Sequence, residues 1–433
     1  MTNNKSNIED LLEDYATSPV PGHIAVGGLR ISMINTALTF SLPGLVTGMV
    51  IGTSLGLIDA LIAFVSGGLI LALLGFITGL VGVRNRLSSY MLIRLSFGER
   101  GSQLVNVCIA FSMFGWFGVN VYLFGDAGAG LWTLFTEQAQ PSWIFVLLGG
   151  VLMTAAAIVG FKSIQKLSAV VVPLQIVIFS VLVFNTLSHV NLDELVARPI
   201  VSEMSIGAAI SAVVGSFMVA ALVMPDFTRY GKTTADAALA SFIPYLFMAT
   251  VVYVGSALAA LWLLETDILK LLVAAGLGSM AFIFILFSST ITNAVNLYGC
   301  SLSLAAVFPT LKEWHITLAS GVLGTIVAFA GVLEHFIDFI YSLGIIFSPV
   351  AAIYVADFFL VNRGHYTLRH CDSVPAISWP AISAWLLGIL VAFASSEGVI
   401  RLTTIPACDS FLSAMLIYVL LMAFKKYGRT VAA

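Results

Sequence analysis

Charge is what this chain has least of. Lys, Arg, Asp and Glu make up 9% of its 433 residues, where a soluble domain carries about 25%. A water-soluble fold of this length cannot cover its surface with so few charges. Cysteine is as scarce, with 4 residues (Cys108, Cys300, Cys371 and Cys408). Their spacing matches no metal-ligand pattern and requires no disulfide framework. A net charge of −3 argues against a nucleic-acid partner. No P-loop, nucleophile motif or metal-type histidine cluster is present. ATP-driven and enzymatic readings are therefore disfavoured. Residues 1–20 lack the pattern of a cleavable signal, which puts a basic segment before an apolar one. They are polar and acidic, with Glu9, Asp10, Glu13 and Asp14, and read as a cytoplasmic lead-in.

Apolar residues are abundant, at 59%, and they come in long runs. From Trp143 to Gly160 there is no charge at all. Runs of ~18 or more apolar residues are membrane-span candidates. The chain reads as an all-α integral membrane protein with about twelve crossings. They fall at 25–51, 54–83, 103–135, 142–161, 166–188, 206–226, 237–264, 270–304, 317–340, 341–360, 377–396 and 406–424. The distribution of Lys and Arg tests this count. With the N-terminus inside, the inner loops and tails hold fifteen basic residues, among them Arg84, Arg86, Arg94, Arg100, Arg229 and Lys232. The outer loops hold three: Arg198, Lys270 and Arg401. That asymmetry is the positive-inside signature, and a missed span would scramble it. It predicts a multi-pass protein of a cell inner membrane, surrounded by lipid, with both termini cytoplasmic.

Two spans contain helix breakers. The first reads Thr36-Ala-Leu-Thr-Phe-Ser-Leu-Pro-Gly44; proline removes a backbone donor and glycine permits unwinding. The sixth reads Val214-Gly-Ser-Phe-Met218 and ends in Met224-Pro-Asp226. Breaks at matching places in two halves of a transporter point to its binding site. Simple kinks remain the other reading. Span eight carries Ser288, Ser289, Thr290, Thr292, Asn293 and Asn296. Hydroxyls suit a hard cation and a carboxamide suits a heterocycle edge. Interhelical packing explains the same residues equally well. Asp59, Asp126 and Asp338 lie in or near spans, and Asp126 is a candidate for proton handling or structural pairing. Asp226 precedes Arg229 by three residues and reads as half of an end-of-helix ion pair.

Several of these stretches resemble the nucleobase–cation symporter family that contains cytosine permease. They are Arg94-Leu-Ser-Phe-Gly-Glu-Arg-Gly-Ser102, Gly115-Trp-Phe-Gly-Val119, Val214-Gly-Ser-Phe217 and Asp226-Phe-Thr-Arg-Tyr-Gly231, with a looser match at Thr292-Asn293 and Asn296-Leu-Tyr298. The resemblance covers nearly the whole chain in order. It implies a LeuT-like fold of two inverted five-helix repeats, 25–188 and 206–360. Two peripheral helices follow within 377–424, with tails at 1–24 and 425–433. It implies that Trp116 and Phe217 sandwich a planar ring, which stacking favours for any flat heterocycle. By the same resemblance Asn293 reads one ring edge, and backbone from Ser216 to Ala220 another. A sodium site would use carbonyls of Ala37, Phe40, Ser288 and Ile291 and the hydroxyl of Thr292, with Ser289 beside it. No other cofactor is implied.

The chain departs from the cytosine-selective pattern at three places. Met113 stands where those members have Gln, Ser41 replaces a ring-facing aromatic, and Val219 replaces a small polar residue. A lost bidentate amide changes which base is accepted. The expected function is cation-coupled symport of a nucleobase or related small planar heterocycle into the cell, without enzymatic chemistry. A proton-coupled permease for a vitamin-like pyrimidine or pyridine, or for a hydantoin, is the alternative. Since Ile291 offers no side-chain ligand, proton coupling stays open. A channel needs a continuous polar pore, whereas these polar residues cluster at one depth.

Overall fold

The computed structural model describes residues 18–158, 161–197, 204–265, 267–308, 310–330, 333–366, 374–400 and 402–432. The acidic lead-in with Glu9, Asp10, Glu13 and Asp14, the basic residues Arg198 and Arg401, and Cys371 lie outside them. Among the described residues the regular structure is entirely helical. The first half contains α1 (Gly28–Thr39), α2 (Leu42–Asn85), α3 (Ser89–Phe97), α4 (Glu99–Thr136), α5 (Ser142–Ala157), α6 (Phe161–His189) and the short α7 (Leu192–Val196). The second half contains α8 (Ile206–Leu222), α9 (Met224–Thr228), α10 (Thr234–Leu263), α11 (Ile268–Ala274), α12 (Ser279–Val307), α13 (Glu313–Ala328) and α14 (Phe336–Val361). Last come α15 (Trp379–Ser396) and α16 (Pro406–Ala432). Eight of these helices, α2, α4, α6, α10, α12, α14, α15 and α16, have apolar stretches long enough to cross a membrane. α5 and α8 are shorter apolar helices.

α2 has 44 residues. A straight helix of that length would measure about 66 Å, over twice the ~30 Å hydrocarbon core. Gly56 divides it, at φ 74° and ψ 172°, a conformation that glycine alone adopts readily. Gly48 and Gly52 abut Tyr253 and Ala257, whereas Gly68, Gly75 and Gly79 abut Tyr245, Ser241 and Ala237. The two arms of α2 therefore run in opposite directions along α10. Small residues let the backbones approach, which is how helices associate in lipid.

Two groups of helices result. α2, α8 and α10 pack together with α1 and α9 against them, and α4, α5, α12 and α13 form the second group. α6 touches both through α1 and α12, and α14 lies on α8 and α16.

Three expectations are corrected here. Spans nine and ten divide at Ala328 and Phe336 rather than at 340–341, because Glu334 and His335 sit in the connecting turn. The span at 270–304 is two helices, α11 and α12, separated at Gly276 (φ 86°) and Gly278 (φ 51°). Gly215 is not a break: α8 runs through it unbroken to Leu222, and the interruption falls at Val223. Gly215 instead faces the carbonyl oxygen of Ile340 so closely that no Cβ fits. It is a crossing point between α8 and α14.

Several of the stretches expected on the inner side contact one another. Val20 N donates to Arg86 O (3.0 Å), and Val26 N to Tyr230 O (2.8 Å). Glu99 N and Arg100 N donate to Pro375 O and Ala376 O. Asp236 accepts from Gly28 N (2.6 Å), Lys232 N and Thr233 N, tying the start of α1 to the start of α10. The carboxylate of Asp226 accepts from Ser89 N (2.7 Å) and Ser89 Oγ (2.8 Å), and so caps α3. Arg229 Nε donates to the Asp226 carbonyl oxygen (3.0 Å), beneath the ring of Tyr230.

Candidate binding site between the interrupted helices

The helix that begins at Gly28 stops at Thr39 and restarts at Leu42. Phe40 (φ −83°, ψ 17°) and Ser41 (φ −70°, ψ 155°) form the interruption. Ser41 then caps α2: its Oγ accepts from Gly44 N (3.2 Å), with Pro43 in the first turn, where a missing N–H costs nothing. The Phe40 oxygen accepts from Ser288 Oγ of α12 (2.6 Å). One turn along α12 the hydroxyl of Thr292, and beside it that of Ser289, are buried without a hydrogen-bond partner. Unsatisfied buried hydroxyls are rare because each costs free energy. The Phe40 carbonyl at the unwound turn and these hydroxyls of α12 are together a donor set that fits a hard cation. The buried Ala37 backbone lies in the last turn of α1, while the buried side chain of Ile291 adds no ligand.

Next to this break lies a narrow cavity of about 40 Å³. It is lined by Leu38, Ser41, Pro43, Gly44 and Thr47 from the first broken helix, and by Met113 and Trp116 of α4. Ser216, Phe217, Val219 and Ala220 of α8, with Thr292 and Asn296 of α12, complete it. Seven of the eight residues expected at the substrate face the same space: Ser41, Met113, Trp116, Ser216, Phe217, Val219 and Ala220. Of the expected cation ligands, Thr292 also reaches it, while Ala37, Phe40, Ser288 and Ile291 lie off its wall.

Asn293 is the exception. Its side chain is fully buried, with Nδ2 donating to Phe117 O (3.2 Å) and to Met153 Sδ (3.0 Å). The carboxamide on the cavity wall belongs to Asn296. Asn296 is four residues from Thr292 and so shares its face of α12. That spacing was the available signal; Leu38, Pro43, Gly44 and Thr47 had only their place beside the break to mark them.

Neighbours fix the two aromatic walls. Trp116 meets the edges of Phe339 (centroids 5.5 Å, 66°) and Phe336 (6.1 Å, 80°). Phe217 stacks on Tyr245 (5.8 Å, 26°). Edge-to-face and offset contacts are the favoured aromatic geometries. The Ser216 hydroxyl is engaged by Tyr253 Oη and Val213 O, both at 2.7 Å.

The interruption at Val223 is closed differently. Thr78 Oγ1 donates to Ala221 O (2.7 Å) and Tyr354 Oη to Leu222 O (2.8 Å). Asp126 is not part of the central site. It lies exposed on a wider, open cavity of about 470 Å³, with Asp267, Glu334, His335 and Asp338.

Interrupted helices around a central cavity, within two packed helical groups, make this a LeuT-like fold. Mhp1, a nucleobase-cation-symport-1 family transporter solved closed with bromovinylhydantoin bound, is similar over 97% of this chain and 96% of its own. The TM-score is 0.81 at 20% identity. A Na+-coupled sialic acid symporter in an outward-open state matches over 97% and 93%, with a TM-score of 0.70 at 11% identity. The particular family comes from the sequence. Residues 32–416 match the profile described as permease for cytosine/purines, uracil, thiamine, allantoin, and the chain belongs to that family. The cytosine permease of Escherichia coli (strain K12) is 26% identical over 377 residues, 87% of this chain and 88% of that protein. The protein is therefore a multi-pass permease and not an enzyme.

Proposed function

We propose that this permease imports a small planar heterocycle of nucleobase type together with sodium, across a cell inner membrane with both termini cytoplasmic. The observation that carries the reading is a convergence. One cavity between the interrupted helices is walled by Trp116 and Phe217, and its edge holds the unpartnered Thr292 hydroxyl next to the Phe40–Ser288 contact. None of the thirteen lining residues has a side chain that ionises near neutral pH. That favours an uncharged ring, and sodium over a proton bound within the site. Met113, Leu38 and Val219 make an apolar wall, which favours a ring substituted differently from cytosine.

The repeats are taken as 25–188 and 206–360, with 377–424 peripheral. The cation would be held by carbonyls of Ala37, Phe40, Ser288 and Ile291 with the hydroxyl of Thr292. It would supply positive charge against the carbonyls freed at Phe40. These residues straddle the two helical groups, α1 from one and α12 from the other. Drawing them together preorders the cavity walls and lowers the cost of binding the ring. Movement of one group against the other then exposes the cavity to the opposite side.

The test is thermal stability of the purified protein with bases, hydantoins and vitamin-like pyrimidines, with and without sodium. A ligand that binds the folded state raises the melting temperature. A ring that stabilises far more with sodium is the expected result. Stabilisation indifferent to sodium overturns the coupling, and no stabilising ring overturns the site.

A further inference from the structure

The hydrogen bonds behind the cavity wall fix the orientation of one amide, and that orientation constrains the ligand. Phe117 O is a carbonyl and can only accept, so the group of Asn293 that meets it at 3.2 Å must be its NH₂. The same Nδ2 also contacts Met153 Sδ, another acceptor. With its nitrogen turned toward α4 and α5, Asn293 directs Oδ1 to Asn296. Asn296 answers with its own nitrogen, Nδ2 to Oδ1 at 3.3 Å. One N–H of Asn296 is thereby used. Its Oδ1 accepts no hydrogen bond among the described residues, and Asn296 lines the cavity.

We infer that Asn293 is a positioning residue that holds Asn296 with its carboxamide oxygen available to the ligand, so that the transported ring must bring an N–H donor to Asn296. The inference deepens the reading of this cavity as the substrate site and rests on it. The chain runs from the α4 backbone at Phe117, through Asn293, to the ring edge. Without Asn293 the Asn296 amide is free to turn over and offer NH₂ in place of oxygen. The site would then lose its preference between a donor and an acceptor while keeping its stacking walls. The other polar lining groups do not replace this signal. Ser41, Ser216 and Thr47 are tied to backbone or to Tyr253, and the hydroxyl of Thr292 can rotate to donate or accept.

The experiment compares melting-temperature titrations of cytosine, uracil, hydantoin and hypoxanthine with those of their ring-N-methylated derivatives, in sodium. In the wild type, methylation of the N–H that faces Asn296 weakens binding of the stabilising ring by about tenfold to a hundredfold, the cost of a buried acceptor left unpaired. Asn293→Leu, similar in shape, removes the relay and brings parent and methylated rings to within about threefold of each other. Asn293→Asp, titrated at a pH where its carboxyl is protonated, still donates to Phe117 O and accepts from Asn296, and so restores the discrimination. A purely structural role for Asn293 lowers the melting temperature but leaves that ratio alone, which overturns the inference. Should the Leu variant not fold, the ratio is read in the Asp variant, where loss of discrimination likewise overturns it. Wild-type protein that binds every methylated ring as well as its parent overturns the donor requirement and leaves the transport reading standing. If no ring binds at all, both fall together.

Discussion

The two interruptions lie in comparable helices and are handled in opposite ways. At Val223 the freed carbonyls are sealed by the protein itself: Ala221 O by Thr78 and Leu222 O by Tyr354. At Phe40 and Ser41 the closure is partial. Ser41 caps α2, Ser288 reaches Phe40 O, and the hydroxyls of Thr292 and Ser289 are left without partners. Unwound backbone within a membrane must find partners, but the partners need not be ligands. What marks a binding site is a break whose surroundings remain unsatisfied.

The contrast can be broken by substitution. Gly215→Leu has the largest expected effect, because α14 backbone occupies the place of any side chain. No folded protein should be recovered by size-exclusion chromatography; a folded variant would mean that α8 does yield at Gly215. Thr292→Val comes next. It removes a hydroxyl that has no partner, so stability without ligand should hold while the sodium response weakens by about tenfold or more. Sodium titrations of the melting temperature read this directly. Tyr354→Phe should do the reverse. An orphaned Leu222 carbonyl costs about 1–3 kcal/mol of stability, visible as a lower melting temperature at unchanged sodium affinity. If Tyr354→Phe alters sodium affinity as Thr292→Val does, the two breaks are not functionally distinct. The smallest effect is expected from Ser41→Ala, a lost cap worth about 1 kcal/mol, again read from the melting temperature.

Much of this was legible in the sequence, and the reasons are particular. Pro43 cannot continue an upstream helix, so the first interruption announced itself. Gly215 carried the same local signal for a different cause, since glycine permits either unwinding or close approach; only the position of Ile340 decides between them. The turn at Glu334 and His335 was hidden by apolar residues on both sides, which shifted the boundary between α13 and α14. On α12 composition identified the polar stripe but not its phase. Asn293 and Asn296 are three residues apart, and packing against Phe117 and Met153 determines which one turns inward.

α14 touches both walls of the cavity. Its first turn presses Phe336 and Phe339 against Trp116, and Ile340 then meets the backbone of Gly215, next to Ser216 and Phe217. A single stiff helix thus behaves as a caliper, with one jaw on each wall. A puckered or doubly substituted ring would spread the jaws and lift the first turn of α14 toward the wider cavity, which Ile337 lines. Reactivity of a thiol introduced by Ile337→Cys would register that spread, staying low with a planar ligand bound and rising with a bulky one.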